Sequence, residues 1–164
     1  MVLSKVHIAK TEHHELSLDQ ISDYPDLRAI YQLWSARQPD LPARLDPTEL
    51  PPAALPYVML LDFERDPDEL RVRLAGTRVC EIYGGELRGE TTRSFFDATD
   101  AEQVLSAALT VAETRQPSLA FRRYVSLSDR MWSYTRLLLP MSRNGTEVDR
   151  FFKVVEPPSF QSIK

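Results

Sequence analysis

The sequence predicts an α+β domain: a five-stranded antiparallel sheet with helices on one face, preceded by a flanking helix. Three observations predict it. Two β-type runs, "YVMLLDF" and "ELRVRLAG", are joined by the acidic turn "ERDPD", and three more runs follow near 118–127, 131–140 and 148–155, so strands come in short-turn groups that pair antiparallel. One long helical pattern separates the groups and must carry the chain across the sheet. The last strands are apolar on both sides, which demands cover on both faces.

At 164 residues the chain suits one domain with a single core. Its 43% apolar content is too high for a disordered chain. A net charge of -4 and a pI near 5.4 leave no basic footprint for nucleic acid. A single cysteine excludes an internal disulfide framework and suits a reducing cytosol. No apolar run approaches the ~18 residues of a membrane span, and no secretory h-region precedes the domain. The expectation is a soluble cytoplasmic protein, bound to neither nucleic acid nor membrane.

Residues 1–22 are polar without a clean period and are expected to be a flexible or partner-dependent lead. Residues 23–38 form the flanking helix. Ser22 or Asp23 can cap it and Pro25 suits its first turn, while Leu27, Ile30, Tyr31 and Trp34 fall at i, i+3, i+4 and i+7. The domain proper is expected over 39–156. It opens with a connector in which Pro39, Pro42, Pro47, Pro51, Pro52 and Pro56 exclude a long helix or a central strand, leaving room for a short turn at 52–55. In the second strand Val72 and Leu74 alternate with Arg71 and Arg73, so one side is expected buried and the other wet. "TRVCEIYG" reads as a short helix with Val79, Ile82 and Tyr83 on one side, stopped by Gly84–Gly85. The long helix takes Thr99 or Asp100 as cap and packs through Val104, Ala108 and Val111, with Leu105 and Ala112 beside them. Asn144–Gly145 marks the last hairpin, whose second strand can pair with the first strand of the sheet. Residues 157–164 are expected to be a tail. In 131–140 either Trp132, Tyr134, Arg136 and Leu138 face the helices, or Ser133, Thr135, Leu137 and Leu139 do.

"YQLWSARQPDLPARLDPTELP", "LPYVMLLDFERDPDELRVRLAGTRVCEIYGGELRG" and "LLLPMSRNGTEVDRFF" together resemble a PAS domain. The nearer likeness is to a family of small single-domain bacterial PAS-like proteins of formerly unknown function, over residues 24–156. The Arg-Leu-Ala-Gly-Thr segment followed by Tyr-Gly and Leu-x-Gly carries most of the likeness. The resemblance implies signal transduction: a sensory or regulatory module that acts through protein–protein contacts, forms a homodimer, and is modulated by a small apolar ligand in its cleft. A metabolite sensor with an occupied cleft is the alternative, and an enzyme on this scaffold is a third reading. Leu74, Cys80, Tyr83, Phe95, Leu109 and Phe121 are the candidate ligand-pocket residues; they either line a cavity or close-pack without one. Tyr31 and Trp34 either mark an interface or pack on their own sheet.

Other chemistry is weakly supported. Gly76, Gly84, Gly85 and Gly89 form neither GxGxxG nor a P-loop and are expected to serve backbone bends. Cys80 lacks the Asn-Cys-Arg-Phe-Leu-Gln-like setting of light-sensing PAS domains, so no flavin adduct is expected. His7, His13 and His14 all precede the domain, so neither haem nor a core Ser–His or Cys–His pair is expected, and no metal site. The carboxylates Asp62, Glu64, Asp66, Asp68 and Glu69 sit in or beside a hairpin turn, a solvated place. The expectation is no enzyme activity; inward-pointing Arg123 or Arg136 would be the groups to reopen it.

Overall fold

The structure, a computed structural model, describes residues 8–96, 98–126 and 131–163, with side chains at 12–94, 96, 98–123 and 131–161. Seven strands form one antiparallel sheet: β1 (Ile8–Leu16), β2 (Val58–Glu64), β3 (Glu69–Ala75), β4 (Ser118–Ser126), β5 (Met131–Met141), β6 (Arg150–Val155) and β7 (Gln161–Ile163). The spatial order is β1-β4-β5-β6-β2-β3, and β7 pairs with β5. Since β4 occupies one edge of β5, β7 extends the line of β6 along the other, so seven strands fill six positions. The helices are α1 (Pro25–Ser35), α2 (Thr77–Tyr83), α3 (Thr92–Phe95) and α4 (Ala98–Thr114). The α+β class holds, and β6 pairs with β2 as expected.

The sheet is apolar on both faces because both are covered. On one face lie α2, α3 and α4. Val79, Ile82 and Tyr83 of α2 and Ala101, Leu105, Ala108 and Val111 of α4 are buried. On the other lies α1, with Leu27, Ile30 and Trp34 buried, joined by Leu41, Leu45, Leu50 and Ala54 of the proline-rich connector. Trp34 is 2% exposed, and its indole Nε1 donates to the Pro140 carbonyl at 2.9 Å. Trp34 is therefore packed on its own sheet, while Tyr31 beside it is half-buried. The expected caps of α1, Ser22 and Asp23, are not used. Glu156, 130 residues on, accepts from Asp26 N at 3.3 Å and Leu27 N at 3.0 Å.

Other departures have local causes. The lead is not featureless: residues 8–16 form β1 on β4, with His13 opposite Arg122 and Glu15 opposite Ala120. An edge strand carries polar side chains without an apolar period, so its sequence reads as a coil. The tail also folds back, through a turn at Pro157–Ser159 into β7. In β3, Arg73 is an extra residue between the pairs Leu60–Leu74 and Leu61–Val72. This bulge swaps faces, so Val72 is 2% exposed but Leu74 is 40% exposed.

Gly84 ends α2 in left-handed geometry (φ 85°), as the helix stop requires. Gly76 serves a close approach instead: a Cβ there would stand 2.2 Å from the Pro56 carbonyl oxygen. That neighbour is backbone and cannot swing away. Two substitutions test this packing by urea denaturation. Trp34→Ala is expected to cost about 3–5 kcal/mol, and Gly76→Ala about 1–3 kcal/mol. A loss well under 1 kcal/mol at either position would contradict the contact described.

Candidate functional site

The strand registers align side chains across β1, β4, β5 and β6 on the face roofed by α2–α4. One row runs Glu15–Ala120–Arg136–Val155, the next His13–Arg122–Tyr134, and a third Ser118–Leu138–Lys153–Met59. Side chains in a row and in adjacent rows are neighbours on a pleated sheet. Of the two possible faces of 131–140, the one with Tyr134, Arg136 and Leu138 therefore lines the cleft.

Three cations meet there. Arg122 is 2% exposed and Arg136 3% exposed. Lys153 lines the same cavity, about 30 Å³ in volume, together with Tyr83, Thr92 and Phe96. A smaller void of about 10 Å³ lies under α2, closed by Tyr57, Tyr134 and Phe160. These spaces have room for no more than about a water or two, so the cleft is nearly filled by side chains. Outside it, an open groove of about 840 Å³ runs between β1 and α4 and shares His13 and Ala107 with the inner cavity.

The cations are held in different ways. Arg136 Nη1 donates to Ser118 O and Oγ, both at 2.9 Å, and Ser118 Oγ donates to the Glu15 carboxylate at 2.7 Å. Burial lowers the Arg136 pKa to about 10, against the pull of Glu15. Burial costs Glu15 too, but bonds from His13 and Ser118 leave its pKa below the usual carboxylate value. Arg122 has its guanidinium carbon 5.6 Å from the centre of the Phe96 ring, while its buried Nε and Nη2 have no hydrogen-bond partner among the described residues. Burial pushes Lys153 down to about 8, with Arg122 and Arg136 adding to the effect. Tyr134 shares a 3.4 Å hydrogen bond with the Tyr83 hydroxyl and stacks on Phe160. Burial opposes its ionisation, but the charges of Lys153 and Arg122 outweigh this and bring it to about 8.

Of the expected pocket residues, Tyr83 lines both voids. The others are placed elsewhere, except that the Phe95 side chain lies outside the described residues. Leu74 is turned by the bulge to the α1 face, into a groove of about 450 Å³ shared with Leu55, Leu60 and Phe152. Phe121 points away from Arg122 by strand alternation and stacks on His14. Cys80 lies off the α2 side that faces the sheet; its thiol donates to Ala75 O at 3.8 Å, and burial raises its pKa. Leu109 packs at the edge of the core, while Val104 and Ala107 of α4 face the cavity. The cleft floor carries Arg122, Arg136 and Lys153 among mainly apolar walls such as Met59, Leu61, Val104 and Leu138. Arg136 was legible as a candidate if it pointed inward; Arg122 and Lys153 were not, because their faces depend on register.

An antiparallel sheet in which β2 pairs with β6, roofed on one face by α2–α4 over a cleft, is the architecture of a PAS domain. A family model described as PAS domain matches residues 23–155, and the chain belongs to that family. Neither a curated protein nor a solved structure matches the chain. PAS domains serve signalling and sensory roles in general. Among the described residues no helix is long and apolar enough to cross a membrane, and no cluster of three His, Cys, Asp or Glu is placed to hold a metal.

The paired titration is directly readable. Absorbance at 295 nm should show one of the six tyrosines ionising near pH 8, and Tyr134→Phe should remove that step. Lys153→Met removes a positive charge that stabilises the phenolate, so the step should move to higher pH. An unmoved step would show that Lys153 does not act on Tyr134.

Proposed function

We propose that this chain is a cytoplasmic signalling domain whose cleft occupancy sets the seating of α1, and which passes that change to a protein partner. The observation that supports it is the continuity of β6 with Glu156, the residue that follows it. Lys153 stands in the cleft, and three residues later Glu156 holds the first turn of α1 through Asp26 N and Leu27 N. The strand that meets a ligand thus runs directly into the residue that docks the helix. In the population-shift picture, a ligand that contacts β6 differently in two positions biases α1 between them. The output surface is the outer side of α1, where Tyr31 is half-buried, with the neighbouring groove where Leu55 and Leu74 are each 40% exposed. Contact between two copies of the chain belongs to the same reading. The reading involves no haem, no flavin and no catalysis. The single cysteine suits the reducing compartment proposed.

Hydrogen exchange tests the relay. Glu156→Ala should cost about 1 kcal/mol, as loss of a helix cap does, and should speed exchange at Asp26 and Leu27 selectively. Lys153→Met, remote from α1, should also change exchange there. Unchanged α1 protection in the Lys153 variant would end the relay. Native mass spectrometry of protein from its own source should show a bound small molecule, a dimer or a second protein; a bare monomer would count against the proposal.

A further inference from the structure

We propose that the cleft is a carboxylate site, in which the inner edge of Arg122 takes the head of a small organic monocarboxylate that enters along the groove between β1 and α4. This deepens the sensory reading above and rests on it.

The first argument is the shape of the unused chemistry. Nε and Nη2 are fully buried Arg122 nitrogens that lack hydrogen-bond partners among the described residues. They lie on one edge of the guanidinium, and their N–H bonds run parallel at the spacing of two carboxylate oxygens. Phe96 stands by the guanidinium carbon, so the edge is the part left for a ligand. Buried polar groups are ordinarily satisfied, and this buried guanidinium edge is free of protein acceptors among the described residues.

The second argument is charge. The described residues around the inner cavity include Arg122, Arg136 and Lys153 but no aspartate or glutamate. Arg136 already uses Ser118, and through it Glu15. Among the described residues Arg122 has no such carboxylate. An incoming anion would neutralise the place where the floor is least compensated.

The third argument is size and access. The inner cavity, about 30 Å³, admits a planar head and little more. The remainder of the molecule must lie in the outer groove, past His13 and Ala107, along Ala98 and Thr110. Glu15 and Glu102 stand in that outer groove. They repel a second negative charge, so a monocarboxylate is favoured over a dicarboxylate or phosphate.

Butyrate is a suitable probe, titrated against the full chain at fixed ionic strength, with butyramide, succinate and inorganic phosphate as comparators. Calorimetry and amide shifts should show butyrate binding and butyramide not, with succinate and phosphate weaker than butyrate. Arg122→Met removes an uncompensated buried charge, so it should fold and lose butyrate affinity by at least about tenfold. Arg122→Lys keeps the charge, loses the parallel pair of donors, and should also weaken binding; it serves if the methionine variant does not fold. Equal binding of butyramide, or unchanged affinity in both Arg122 variants, would overturn the carboxylate site. A neutral molecule in the cleft of native protein would overturn it too, yet leave the sensory reading standing. Butyrate that binds at Arg122 without altering α1 exchange would keep the site and overturn the relay.

Discussion

Everything in this fold follows from a central pair of strands that is apolar on both faces. In β5, Leu137 and Leu139 point one way, each fully buried, while Tyr134 and Leu138 point the other, also buried. β6 repeats the pattern with Phe152 and Val154 against Phe151 and Val155. A two-faced sheet of this kind cannot be left half wet. The helices α2–α4 cover one side, and α1 with the proline-rich connector must cover the other. The flanking helix is therefore part of the folded unit. Its tryptophan contributes a large buried surface and a buried hydrogen bond to Pro140.

Against that apolar frame the basic floor is costly. Burying a charge carries a penalty of several kcal/mol per ion unless it is paired, within a total stability of only about 5–15 kcal/mol. The chain offsets this unevenly. Arg136 is linked through Ser118 to Glu15. Lys153 is lowered to about 8, where it begins to shed its charge. Arg122 has an aromatic ring beside it and a bare edge. Leucine or methionine at position 122 would fill the space without that penalty. Residues kept at a cost to stability commonly mark sites of function.

The sequence carried the elements better than their faces. Periodicity located α1 and α4, turn chemistry located the β2–β3 and β5–β6 connections, and glycine placed the end of α2. What it could not carry was register. A strand's side chains change face with each residue, so a single bulge at Arg73 moved Leu74 across the sheet. The same alternation sent Phe121 away from the cleft and Arg122 into it. β1 was illegible for a different reason: His13 and Glu15 face a polar cleft, and no apolar stripe announces the strand. The cap of α1 was hidden because Glu156 is distant in sequence. Local rules point to Ser22 and Asp23, yet tertiary structure brings a carboxylate to the bare N–H groups instead.

That distant cap gives the architecture its directional logic. α1 begins at Pro25 with no side-chain cap of its own, so its first turn depends on Glu156. Glu156 is in turn anchored to the sheet, its N–H donating to Thr135 O at 3.0 Å. Thr135 lies between Tyr134 and Arg136, both on the cleft floor. The helix on one face is thus tied to the two strands that present Tyr134, Arg136 and Lys153 on the other. Burial raises the Glu156 pKa, so its hold on the helix depends on local geometry: both bonds must offset the lost hydration. A small displacement of β6 lengthens bonds already at 3.0 and 3.3 Å. A sheet covered on both faces can in this way transmit occupancy of one face to the seating of the other, with no moving part larger than a strand end.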